Sequence, residues 1–367
     1  AEFVNKPIKG SVIVVKSDSE NKEKLSGAVF EIFKKGSDKP CGTLVESAEE
    51  KGTYTLSDIL YGEYYLKETK SPTGYNPNNK KYPFSITENG QVVNITDDGH
   101  ETIENTPQTG NLEIIKRSSD GKLEGFSFKV TGTTITGEQY EQVFKTDKDG
   151  KISISGLRVG TYTVHEIADE ENVRYNLPAD KTVIVENGKT AQAEMFNQEI
   201  EVPFEITKTD ISTGEPIPNT SFRIRNSNGD VVVEGKTDKD GIAKFVLVCG
   251  KYTYQEFDAP TGYIIDSKEY PFEIKPDDTI VKAEMTNTGT GTLELTKTDV
   301  STGKPIPDTS FRVNDADGNI VAEGKTDSNG VATFNSLPYG KYTYQEFDAP
   351  EGYIINSKEY PFEIKEN

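Results

Sequence analysis

Lysine, glutamate and asparagine recur in this 367-residue chain at matching places, each closing a short alternating run of apolar and polar residues. The lysines close SVIVVKSD (Lys16), NLEIIKRS (Lys116), FEITKTD (Lys208) and LELTKTD (Lys297). The glutamates close Gly-x-Tyr runs: GEYYLKE (Glu68), GTYTVHE (Glu166) and GKYTYQE twice (Glu256 and Glu346). The asparagines close ETIEN (Asn105), AEMFN (Asn197) and AEMTN (Asn287). Residues two apart in a strand face the same side, so Lys16 lies with Val12 and Val14, Lys116 with Leu112 and Ile114, and Lys297 with Leu293 and Leu295. Glu256 likewise lies with Tyr252 and Tyr254, and Asn287 with Ala283 and Met285. A lysine turned into an apolar core has its pKa lowered, and its neutral amine is a nucleophile. A glutamate in the same core can hold the proton that polarises an amide carbonyl and assists the leaving group. Asparagine supplies the carbonyl carbon, and the product is a Lys–Asn isopeptide bond with release of ammonia. The alternative for the same residues is an unreacted buried salt bridge with an asparagine neighbour.

The elements that must carry these residues are copies of one module. Glu205 to Lys275 returns almost verbatim from Glu294 to Lys365, and two more diverged copies precede them. Between landmarks the runs alternate over short lengths and are separated by Asp-Gly and Asn-Gly turns such as DKDG at 147–150, the signature of strands joined by tight turns. The sequence therefore predicts an all-β chain of tandem antiparallel sandwiches, Ig-like in plan and arranged end to end, without helices. The modules are placed at 9–107, 108–199, 200–289 and 290–367. Residues 1–8 read as the last strand of a preceding module, because AEFVN at 1–5 matches AEMTN at 283–287. The fourth module lacks its own last strand, which leaves an edge that another strand could fill.

A hydrophobic fraction of 33% suits several small cores better than one large one. The net charge of -20 argues against nucleic acid and against an anionic membrane surface. No membrane insertion is expected, since no run is long and apolar enough to span, and no signal segment opens the chain; if the parent is secreted, this is an excised piece. Cys41 and Cys249 fall in different copies and read as unrelated thiols.

The lysine strand, the Tyr-x-x-Glu segment running into Ala-Pro-x-Gly-Tyr, and the terminal asparagine strand together resemble the B-type repeat (CnaB-like) domains of Gram-positive collagen adhesins and pilins. EFDAPTGY at 256–263 and EFDAPEGY at 346–353 carry the resemblance best, with ETKSPTGY at 68–75 a close variant. It implies a prealbumin-like sandwich in which the lysine of the first strand is joined to the asparagine of the last, with the glutamate as catalyst. By position the triads are Lys16, Glu68 and Asn105; Lys116, Glu166 and Asn197; and Lys208, Glu256 and Asn287. The fourth copy has Lys297 and Glu346 but no matching asparagine, and the offset of the repeat raises an intermolecular bond between Lys297 and Asn5 of another chain. The second copy departs from the pattern, with HEIADEENVRY at 165–175 in place of the Ala-Pro-Gly-Tyr stretch.

His100 and His165 show no metal-ligand spacing, and the DKDG, DADG and DSNG stretches are explained by turn chemistry rather than calcium. NTPQTG at 105–110 reads as a linker, and no Tyr-Pro-Lys-Asn pilin motif is found. The expected function is a structural spacer in a cell-wall-attached adhesin, extracellular, without cofactor or metal, and not an enzyme beyond its self-modification. Host matrix would be bound through other parts of the parent, and a neighbouring copy through strand complementation. The rival readings are modules that are themselves adhesive, and a sortase-linked pilin subunit.

Overall fold

Runs in which every second residue is apolar have one face to bury, and pairing as strands buries it. The computed structural model describes residues 4–365, and every regular element among them is a β-strand. Residues 4–8 form no strand and are exposed; the first three residues of the run read as a preceding module's last strand lie outside the described residues. The chain divides into two compact units, 1–198 and 199–367, each holding two of the repeated modules.

The first module shows the plan. Its lysine strand, Lys9–Asp18, runs antiparallel to Thr53–Leu60 and parallel to Val92–Ile95 and to the asparagine strand Ile103–Asn105. The facing sheet contains the glutamate strand, Gly62–Lys70, between Val29–Lys34 and Lys81–Ile86. The second module repeats this with Thr109–Ser118 set between Lys151–Arg158 and Thr190–Glu199, facing Gly160–Glu166. In the other unit, Glu201–Asp210 lies between Ile242–Val248 and Val281–Asn287, facing Gly250–Asp258. The fourth module pairs Thr290–Thr296 with Val331–Pro338 only, so among the described residues no parallel strand occupies its other edge.

The inward faces fill four separate apolar cores. In the third, Phe204 stacks on Phe272 with ring centroids 4.0 Å apart. Each fully buried side chain of this size contributes about 1.5–3 kcal/mol, and this apolar packing is what compels a lysine on the same face to go inside.

The Asp-Gly turns hold the backbone of that lysine. Asp238 Oδ1 accepts the main-chain N–H groups of Asp240 and Ile242, and Gly241 takes a φ of 72°, a conformation glycine adopts without strain. The Lys208 N–H donates to the Gly241 carbonyl at 2.8 Å, and a Cβ on Gly241 would lie 2.5 Å from the Lys208 carbonyl oxygen. Gly150 and Gly330 stand in the same relation to Lys116 and Lys297.

The two junctions inside the units are also alike. The Gln108 N–H donates to the Gly74 carbonyl at 2.8 Å, and the Thr290 N–H to the Gly262 carbonyl at 2.6 Å. Arg158 of the second module adds ion pairs to Asp18 and Glu20 of the first, at 2.8 and 2.9 Å.

Candidate functional site

Parallel pairing of first and last strands brings lysine and asparagine together at a constant offset. Lys16 pairs with Ile103 and Asp18 with Asn105; Lys116 pairs with Met195 and Ser118 with Asn197; Lys208 pairs with Met285 and Asp210 with Asn287. The asparagine thus stands two residues beyond the lysine's partner, on the same inward face. The glutamate arrives from the opposite sheet, where Glu68, Glu166 and Glu256 pair with the buried rings of Phe30, Phe128 and Phe222.

In the third module Lys208 and Glu256 are fully buried and Asn287 is 3% exposed. Lys208 Nζ donates to Asn287 Oδ1 at 2.5 Å and lies 2.9 Å from Glu256 Oε2, while Asn287 Nδ2 donates to Glu256 Oε1 at 2.6 Å. The first module closes the same ring: Lys16 Nζ donates to Asn105 Oδ1, Asn105 Nδ2 donates to Glu68 Oε2 at 3.0 Å, and Lys16 lies 3.4 Å from Glu68 Oε1. In the second, Asn197 Nδ2 donates to Glu166 Oε1 at 2.6 Å, but the amine of Lys116 is turned aside. It donates to the Arg117 carbonyl at 2.9 Å, sits 4.4 Å from the centre of the Phe126 ring and is 3.7 Å from Glu166 Oε2. In the fourth, Lys297 contacts Glu346 at 2.6 Å with its side chain 23% exposed, just past the end of its strand. Asn5 is exposed and outside any strand.

Burial lowers the pKa of Lys16 and of Lys116 to about 8, against the opposing pull of Glu68 and Glu166. It lowers that of Lys208 too, against Glu256. With a pKa of about 8, about one amine in ten is neutral at pH 7, against roughly one in three thousand for an ordinary lysine. The arrangement therefore offers a nucleophilic amine, an amide carbonyl against it, and a carboxyl group touching both the amine and the amide nitrogen.

The lowered pKa has a consequence for stability whenever the bond is absent. An Asn105→Ala variant keeps Lys16 and Glu68 but cannot react. Between about pH 8 and the unfolded value of 10.5 its unfolded state binds a proton that the folded state has released. The first module of this variant should therefore become more stable as pH rises through that window. Thermal melts at several pH values check this, and a flat profile would mean that Lys16 is not desolvated.

Three contacts on the glutamates were not visible in the residue pattern. The main-chain N–H of Asn78 donates to Glu68 Oε2 at 2.9 Å, and that of Asp266 to Glu256 Oε2 at 3.4 Å. Side-chain Nδ2 of Asn172, inside the divergent stretch at 165–175, donates to Glu166 Oε1 at 3.2 Å. Main-chain donors leave no mark on residue identity, whereas Asn172 could have been noticed as a lone amide in the loop that lacks Ala-Pro-x-Gly-Tyr.

A family model described as SpaA: Prealbumin-like fold domain matches four stretches, residues 10–99, 110–199, 202–289 and 291–367. Among curated proteins, the collagen adhesin of Staphylococcus aureus is 35% identical over 91 residues, covering 23% of this chain and 8% of that protein. Serine-aspartate repeat-containing protein D of S. aureus strain MW2 is 24% identical over 365 residues, covering 83% of this chain and 27% of that protein. The chain thus spans little more than a quarter of these relatives at most. Among solved structures, the Bacillus anthracis TIE protein aligns over 100% of this chain and 74% of its own, at 29% identity and a TM-score of 0.51.

Proposed function

Since the chain belongs to the SpaA prealbumin-like fold domain family, we propose that it is a spacer segment of a bacterial cell-surface adhesin whose modules lock themselves with Lys–Asn isopeptide bonds. The observation that carries this reading is the closed ring of contacts among the buried side chains of Lys208, Glu256 and Asn287. A buried charge pair of this kind gains little from its ionic attraction once desolvation is counted, whereas reaction turns the lysine amine into an amide nitrogen that carries no charge to desolvate.

The chemistry follows from the geometry. The neutral amine of Lys208 attacks the side-chain carbonyl carbon of Asn287, and the C–N bond to the amide nitrogen breaks. Glu256 takes a proton from the amine and passes one to the departing nitrogen, Asn287 Nδ2, which already donates to Glu256 Oε1 at 2.6 Å. The products are one secondary amide and one ammonia, and Glu256 ends as it began. Lys16, Glu68 and Asn105, and Lys116, Glu166 and Asn197, act in the same roles. Each site reacts once on its own chain, so the event is self-modification and the protein is not an enzyme.

The surface location is drawn from the relatives, a collagen adhesin and a serine-aspartate repeat protein of S. aureus. Host matrix contact is assigned to other parts of the parent, and the described modules act as tethers. The reading is tested by the intact mass of the purified chain in denaturant. Three bonds remove three ammonias, about 17 Da each, and a mass with no deficit would overturn it.

A further inference from the structure

The second module solves differently a problem that the first and third solve with their backbones. In the first, one carboxylate oxygen of Glu68 accepts both the reactive amide of Asn105 and the main-chain N–H of Asn78, while the other oxygen faces Lys16. In the third, the N–H of Asp266, again ten residues beyond the glutamate, donates to Glu256. Two donors on a carboxylate fix its rotation, and in the first module they keep one oxygen on the leaving group and present the other to the amine.

In the second module the loop after the glutamate is rebuilt, and the donor to Glu166 is a side chain. Asn172 is 1% exposed. Its Oδ1 accepts the Asp169 N–H at 2.8 Å, and its Nδ2 donates to the Ile167 carbonyl at 2.7 Å and to Glu166 Oε1 at 3.2 Å. That same Oε1 accepts Asn197 Nδ2 at 2.6 Å, and Oε2 is the oxygen nearer the Lys116 amine, at 3.7 Å. The division of the two oxygens is that of the first module, with an amide side chain in place of a peptide N–H.

We propose that Asn172 is the positioning residue of the second module's cross-linking site, holding Glu166 so that one carboxyl oxygen stays on the Asn197 amide and the other is presented to Lys116. The inference rests on the isopeptide reading above. With both N–H donors on Oε1, any proton held by Glu166 sits on Oε2, toward the lysine. A proton taken from the amine therefore enters at Oε2 and is passed from the carboxyl group to the departing nitrogen as its C–N bond breaks, with Oε1 holding that nitrogen beside the carboxyl group until then. The bond change is the one already given, a secondary amide formed and one ammonia released.

The test follows bond formation in full-length chain made by cell-free synthesis, sampled over time and read by peptide mass mapping of each module. The first and third modules serve as controls within the same molecule. Asn172→Ala removes the donor and the loop contact together. Asn172→Asp keeps the acceptor for the Asp169 N–H, loses the donor to the Ile167 carbonyl, and sets a second carboxylate against Glu166 in place of the donor. Loss of a hydrogen bond to a charged group should slow closure of the second module roughly tenfold or more, with Asp at least as slow as Ala and the other modules unchanged. If Asn172 only held the loop, Asn172→Asp, which keeps one of the two loop contacts, would close faster than Asn172→Ala, and that result would overturn the proposal. Wild-type closure in the second module of both variants would overturn it equally. Absence of bonds in the first and third modules would instead remove the isopeptide reading, and the proposal with it.

Discussion

Glu256→Gln is expected to leave the third module unlinked, so that the purified chain weighs about 16 Da more than the wild type, from one retained ammonia of about 17 Da less about 1 Da for the substitution itself. Glutamine keeps the shape of the side chain and can still accept the N–H of Asn287. It cannot take a proton from Lys208 and return one to the leaving nitrogen. Positioned acid–base groups contribute about 10²–10⁴ in rate, and amide exchange at a neutral carboxamide is slow without one. Peptide mapping should recover Lys208 and Asn287 on separate peptides, while the Lys16–Asn105 peptide stays linked. Glu346→Gln is the matched control: Lys297 has no asparagine partner among the described residues, so the mass should not change beyond the substitution itself. A linked third module in the Glu256→Gln chain would show that proximity and desolvation suffice and that the carboxyl group is dispensable.

The second large effect is mechanical. Lys208 and Asn287 are separated by 79 residues. Chain tension enters along the lysine strand and leaves along the asparagine strand, so a bond between the two lets force bypass everything in between. Held between the chain ends, the wild-type third module should show no unfolding step for that segment. Asn287→Ala should release it in one event of up to about 280 Å, from 79 residues at about 3.6 Å each less the folded span. Without load, closing a loop of this size lowers the entropy of the unfolded chain by roughly 4–5 kcal/mol, by the same loop-closure reasoning that applies to disulfides. Single-molecule extension of the two proteins decides the point, and equal step patterns would mean that the wild-type module carries no cross-link.

The repeat and its polar landmarks were legible because both rest on side-chain identity. The inward placement of Lys16 and Lys116 followed from two-residue alternation with Val14 and Ile114, and both lysines are buried, as is Lys208 at the matching place. Alternation also aligned Lys297 with Leu293 and Leu295, yet its side chain is 23% exposed. The reason lies outside its own strand: in the other modules a parallel strand covers that edge, and local pattern carries no information on a missing neighbour. The Asp-Gly turns were recognised as turns, but their role in pressing Gly150 and Gly241 against the carbonyls of Lys116 and Lys208 depends on long-range contact. The orientation of the Lys116 amine toward the Arg117 carbonyl and over the Phe126 ring was equally hidden, since residue identity does not specify a rotamer.

The pairing of first strand with last also changes what a cut in the chain means. With lysine and asparagine bonded, each closed module is a covalent ring with two tails, and the tails leave from the bond itself. Exposed turns such as that at 227–230 lie within the ring. A single nick there opens the ring into a branched chain but severs nothing, because both tails remain attached through the side-chain amide. A tether built this way tolerates one hydrolysed bond in every closed module and still holds what is fastened to its far end.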